Sequence, residues 1–286
     1  MTRVKDSTLA GRWYAADPTT LRDEIDRLLA AEPPALRTPV QAVIVPHAAY
    51  QYSGRAAAAG YACVAGAAYS TVVILAPSHY CSFRGVAMPD VDAFATPLGR
   101  VAIDHERVAA LQREPHVCVR SDAYEEEHSL EIQLPFVQRV LPQVRLVPIL
   151  VGDMTDADYE AIGTVLRALV DEHTLFVVSS DFVHYGQRFR YLPFPSDTVE
   201  SVRVGLRELD MGAISRVCDG DTAAFRHYVS TTGATICGRN PIALFLTVAA
   251  GGLPGQLLAY YTSLDVTGDH EHSVSYAAIA FPRPQS

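Results

Sequence analysis

The sequence predicts an α/β protein: one domain spanning residues 1–286, with a central mixed, largely parallel sheet and helices on both of its faces. Three observations carry this. Apolar residues make up 49% of the 286-residue chain and charged residues only 19%, which is too apolar for a disordered chain and enough for a large core. Short apolar, β-branched runs at 71–76 (TVVILA) and 175–179 (LFVVS) have the continuous pattern of strands buried on both faces. Such runs alternate with helical stretches, and that alternation implies crossovers between parallel strands.

Taken in order, residues 21–31 follow a helical pattern that Glu32-Pro33-Pro34 closes. Residues 41–46 are a short apolar run ending in Pro46 and read as a buried strand. Residues 54–66 are Ala-rich and end in Gly66, which predicts a helix with a glycine stop. After the strand at 71–76, helices are expected at 104–112 and 125–140, the second one restarted or kinked by Pro135. A strand at 145–151, a helix at 156–170 and the strand at 175–179 follow. Residues 198–209, 211–218 and 222–229 read as three helices, and 239–250 as a fourth. Strands at 257–263 and 273–281 have no helix between them, which predicts an antiparallel edge pair. The tail Pro282-Arg283-Pro284-Gln285-Ser286 is expected to fray.

The net charge is −9. There is no basic stripe longer than Arg188-Phe189-Arg190, so a nucleic-acid partner is not expected. No apolar run approaches the ~20 residues of a membrane span. The five cysteines, Cys63, Cys81, Cys118, Cys218 and Cys237, are widely spaced without a CxxC, and no apolar signal core opens the chain. A reducing, cytoplasmic setting follows as the default, with a small molecule or a protein as the expected partner.

The chemistry is expected beyond the carboxyl ends of the strands, where open α/β sheets bind ligands. Three strand-like runs end there in histidine: Val45-Pro46-His47, Pro77-Ser78-His79, and Ser180-Asp181-Phe182-Val183-His184. Neutral imidazole is the commonest nitrogen ligand for transition metals, although a lone histidine after a strand is more often a satisfied turn residue. Cys237 precedes a predicted helix, where the dipole lowers a thiol's pKa; its bland alternative is a packing cysteine. In Glu127-His128-Ser129-Leu130-Glu131, His128 and Glu131 share a helix face and could support a ligand from behind, or simply form a solvated acidic helix start. His105, His116, His173, His227, His270 and His272 lack such context and read as surface residues. No G-x-S-x-G elbow, P-loop, G-x-G-x-x-G or H-E-x-x-H occurs.

Seven motifs occur in the order seen in the Memo family, also called AmmeMemoRadiSam system protein B. They are Ala10–Tyr14, Pro46–Tyr50, Pro77–His79, Glu127–Glu131, Ser179–Gly186, Ile236–Pro241 and Ser273–Ala277. The chain resembles that family over nearly its whole length. The resemblance implies a fold similar to class III extradiol dioxygenases, non-haem iron enzymes that cleave catechol rings. It implies His47, His79 and Cys237 as metal ligands and His184 and Asp181 as residues of the same pocket. His128 and Glu131 match a family motif read as a second layer of support. The family often has Gly after Pro-His-Ala, where this chain has Ala49.

Extradiol dioxygenases use two histidines and a carboxylate, so a thiolate at the third position departs from that chemistry. It suits Fe(II) first, with Cu or Zn as alternatives. The expectation is therefore an oxygenase-type or redox reaction on a small molecule, with His184 as general acid/base and Asp181 orienting His184 or a metal-bound water. The alternatives are a non-catalytic metal- or peptide-binding adaptor, and an accessory protein working with radical-SAM and AMMECR-type partners, as the family's system name implies.

Overall fold

The computed structural model describes residues 2–36, 38–195 and 198–283. In chain order, the first half comprises β1 (Val4–Lys5), α1 (Pro18–Ala31), β2 (Val40–Val45), α2 (Tyr50–Ala62), β3 (Thr71–Pro77), β4 (Val86–Met88), β5 (Ala93–Thr96), β6 (Gly99–Ala102), α3 (His105–Leu111), β7 (Val117–Val119), α4 (His128–Glu131) and α5 (Leu134–Val140). The second half comprises β8 (Arg145–Val151), α6 (Asp156–Arg167), β9 (Thr174–Ser179), β10 (His184–Gly186), α7 (Val199–Cys218), α8 (Thr222–Thr232), α9 (Arg239–Val248), β11 (Gln256–Thr262), α10 (Ser263–Thr267) and β12 (His272–Pro282).

The mixed α/β architecture is the expected one. The main sheet runs β10-β12-β2-β9-β3-β8-β4-β7, with β11 also on β12. Its centre, β2-β9-β3-β8, is entirely parallel, so four carboxyl ends share one rim. β12 and β4 flank that centre antiparallel to β2 and β8. Every residue of β2, β3 and β9 is buried, as their unbroken apolar runs require.

Strand alternation shows that both faces are covered. Ala42 is paired with Phe176 and Phe281 and so points with them; Phe245 of α9 packs on both phenylalanines. Val43 and Val45 point the other way, and there Gly60 of α2 lies against Val45, Val43 and Ala278.

Several boundaries differ from expectation, each for a local reason. The helix expected at 54–66 starts at Tyr50 and ends at Ala62, with Gly66 turning at φ +71° four residues later. The helix expected at 125–140 is two helices. Glu127 caps α4 by accepting the Ser129 N–H, and Pro135, having no N–H to give, fits only in the first turn of α5. The stretches 198–209 and 211–218 form the single 20-residue α7. The last two long strands do pair antiparallel, but only β11 is at an edge, because β12 also pairs with β2. The tail expected to fray begins ordered: Pro282 ends β12 and the Arg283 N–H donates to the Pro39 carbonyl. Residues 284–286 lie outside the described residues. A second, three-stranded sheet, β1-β5-β6, had no counterpart in the expectation, since strands of two to four residues carry too few side chains for a period to register.

Candidate metal centre

The central strands deliver the site. β2, β9 and β3 are neighbours in that order, and past their carboxyl ends stand His47, Asp181 and His79. Cys237 arrives from the far side, on the loop that leads into α9. Its neighbour Gly238 must lie close to β9. A Cβ there would collide with Ser180, whose hydroxyl instead accepts the Gly238 N–H at 3.1 Å. Ligand atoms of His47, His79 and Cys237 all lie within 4.8 Å of one another. The Cys237 Sγ is 3.1 Å from His47 Nε2, and the His47 and His79 rings meet edge to face with centroids 5.2 Å apart.

Neighbouring residues fix which ring nitrogen faces inward. The Ser179 hydroxyl donates its one proton to the Ser129 carbonyl at 2.6 Å and accepts from the Gln133 amide at 2.9 Å. Towards His47 Nδ1, 3.0 Å away, it can therefore only accept. His47 carries its proton on Nδ1, and its Nε2 lone pair points at Cys237. His79 is oriented by charge: its Nδ1 donates to Glu127 Oε1 at 2.8 Å, and its backbone N–H donates to Glu127 Oε2 at 2.6 Å. Supports of this kind commonly set the tautomer of metal-binding histidines.

Burial keeps two of the three donors, His47 and Cys237, in their uncharged forms. Burial drives the His47 pKa well below its usual value, and the neighbouring His79, His128 and His184 reinforce that. Cys237 keeps some accessible surface on the wall of a small cavity, yet the loss of hydration pushes its thiol well above the ordinary value, with the Asp181 carboxylate adding to the effect. This corrects the expectation of a thiol acidified by the helix: desolvation outweighs the hydrogen bonds that favour its thiolate. Glu127 is lowered overall, because bonds to His79 and the proximity of His79 and His128 outweigh the upward push of burial. A divalent ion fits such a set, since two imidazole lone pairs and a thiol that ionises on coordination are its usual donors.

His184 and Asp181 flank these donors. His184 Nδ1 donates to the carbonyls of Phe182 and Thr235, both at 3.0 Å, so its other nitrogen is the basic one. Burial lowers its pKa, and His79 adds to that. Those carbonyls, and not Asp181 as expected, orient the ring. Asp181 is buried, is pushed up to about 7 by burial, and accepts the backbone N–H of His47 at 2.8 Å. It shapes the turn that presents His47.

The expected pairing of His128 with Glu131 is also corrected. His128 stacks on His79 with centroids 4.5 Å apart and leans on Trp13 at 4.6 Å; burial lowers its pKa to about 4. Glu131 points away to the N-terminal segment, where it accepts from Ser7, Thr8, Leu9 and Tyr14. The carboxylate that supports the site is Glu127, which also forms a second group of candidate donors with His79 and His128. Glu127, Ser129, Gln133 and Ser179 had no assigned role in the sequence reading. Gln133 and Ser179 carried a signal as polar residues beside apolar runs, whereas Glu127 and Ser129 lie in the charged run 125–131, where burial leaves no mark in the sequence.

Beside Cys237 a hollow of about 130 Å³ opens, walled also by Ser78, Asp153 and Asn240. Among the described residues no helix is long and apolar enough to cross a membrane.

Comparison with known proteins identifies relatives over nearly the whole chain. The model of the family described as Memo-like protein matches residues 5–280. The chain is similar to Protein memo-1 homolog of Caenorhabditis elegans, 33% identical over 98% of this chain and 83% of that protein. It is 31% identical to Protein MEMO1 of Homo sapiens over 96% of each chain. In fold it resembles the crystal structure of uncharacterized protein JW3007 from Escherichia coli K12, with a TM-score of 0.51 at 16% identity, covering 84% of this chain and 99% of that one.

Proposed function

The chain belongs to the Memo family, and from that premise we propose that it binds a metal ion, Fe(II) before Cu or Zn, and carries out an oxygenase-type or redox reaction on a small molecule. The observation that carries the reading is the gathering of His47, His79 and Cys237, from three separate segments, into one set of donors within 4.8 Å. When bound, a redox-active ion would supply electron transfer and dioxygen chemistry that side chains lack. The rest falls to the chain. Ser179 and Glu127 hold the two imidazoles with Nε2 inward. Cys237 gives up its proton on binding the ion. His184, neutral at pH 7 with its Nδ1 tied to two carbonyls, offers a lone pair that can take a proton from a substrate hydroxyl.

Metal content of anaerobically purified protein tests this. The wild type is expected to carry close to one equivalent, and a His47→Ala, Cys237→Ser double variant essentially none. Equal content in the two would overturn the assignment.

One observation favours a second reading. The third candidate donor is a thiol and not a carboxylate, which suits a non-catalytic metal- or peptide-binding adaptor. Steady turnover of a catechol, abolished by His184→Ala with metal content intact, would decide against it.

A further inference from the structure

The hollow beside Cys237 is not closed. Arg239 and Asn240 also line a larger cavity of about 380 Å³, so the two share a wall two to three residues from the candidate thiolate ligand. The larger cavity has an apolar floor of Met154, Phe225, Val229 and Ala234. Its polar groups are nearly all spent. Asn240 donates to the Gly152 carbonyl at 2.8 Å and accepts from the Tyr159 hydroxyl at 2.9 Å. Arg226 is paired with Asp156 and lies over the Tyr159 ring. The Ser230 hydroxyl donates to the His227 carbonyl. What remains is Arg239, exposed, with no ion-pair or hydrogen-bond partner for its guanidinium among the described residues.

From this we propose that the larger cavity binds a small amphipathic carboxylic acid. Its apolar body would lie on the floor of the larger cavity, its carboxylate would pair with Arg239, and its other end would reach past Asn240 towards Cys237. The chemistry of the wall selects the class. A cavity with an apolar floor favours a hydrocarbon or aryl body, and the larger cavity's one uncommitted charge is a planar guanidinium, which matches a carboxylate in two parallel hydrogen bonds, while the Asp153 carboxylate on the wall of the smaller hollow keeps the acid group at the Arg239 end. The net charge of −9 repels anions at long range, so the discrimination must come from this local contact. The proposal rests on the metal-centre reading for what happens at the far end of the ligand, but the binding itself does not require turnover.

The test uses 3-phenylpropionate and its neutral amide, 3-phenylpropionamide, titrated calorimetrically into metal-loaded wild type and Arg239→Gln. Wild type is expected to prefer the acid by about tenfold, the worth of one charge-assisted pair. Arg239→Gln should lose about tenfold for the acid and nothing for the amide, with metal content unchanged. Equal affinity of wild type for acid and amide, unchanged acid binding by the variant, or no binding of either probe would overturn the proposal. Failure of the metal-centre reading looks different: the protein would not take up an ion, whatever it does with the acid.

Discussion

Glu127→Gln isolates the contribution of one buried carboxylate to the candidate metal centre. Glu127 Oε1 accepts from the His79 ring at 2.8 Å and from the Ser129 N–H at 3.0 Å, while Oε2 accepts the His79 backbone N–H at 2.6 Å. Glutamine preserves the volume but can satisfy only one side. With its oxygen at the Oε1 position, its NH₂ opposes the His79 N–H, donor against donor. Turned over, it abandons the ring. Either way at least one charge-assisted bond is lost, worth about 1.5–3 kcal/mol of stability. The charge that makes the ring a better ligand is lost as well, and removal of such support typically weakens metal binding by about 10–100-fold, or about 1.4–2.7 kcal/mol. The assay is a competition titration of Zn(II) and of anaerobic Fe(II) against a chelator of known affinity, with thermal denaturation of the metal-free protein alongside. Glu125→Gln, at an exposed position two residues earlier, is the control and should change neither. An affinity for Glu127→Gln within twofold of wild type would show that the His79–Glu127 contact does not govern the ligand, and the tautomer argument would fail with it.

Two further outcomes separate structural carboxylates from the site. In Glu131→Gln the amide nitrogen must face either Thr8 or the group of Ser7, Leu9 and Tyr14, so at least one charge-assisted bond goes, at about 1.5–3 kcal/mol; limited proteolysis should then cut near the N-terminus while metal content holds, and wild-type stability would contradict this role. Asp210 is buried, accepts from the Val183 N–H and the Tyr260 hydroxyl, and is raised by burial from 3.8 to about 6. The folded state therefore holds its proton longer than the unfolded state, and this residue's contribution to stability falls as pH rises from about 4 to about 6. Asp210→Asn should gain on wild type by up to about 3 kcal/mol over that interval in urea denaturation, and an unchanging difference between pH 4 and pH 8 would refute the burial argument.

The residues that were legible in the sequence and those that were not differ in what positions them. His47 and His79 could be read because a buried parallel strand is a continuous apolar run, and the residue after it must emerge at the ligand-binding rim; adjacency of β2, β9 and β3 then does the rest. Cys237 was singled out by its place before a predicted helix, and the resemblance made it a ligand; its acidity was misjudged, because helix position is visible in sequence while the depth of burial that raises the thiol belongs to the tertiary fold. Glu127 and Glu131 exchanged roles for a similar reason. Spacing of three places His128 and Glu131 on one face of a long helix, but the helix is only four residues, and Glu127 lies outside it as the cap. A cap has its own direction, set by the turn and not by helical period, so the carboxylate nearest His79 was the one that periodicity left out. The same limit applies to Asp181, which the resemblance placed in one pocket with His184, while the irregular segment between them sends the two side chains to different partners. Sequence pattern thus locates a site where regular elements end, and the assignment of partners within it depends on the irregular segments between them, where no period exists to be read.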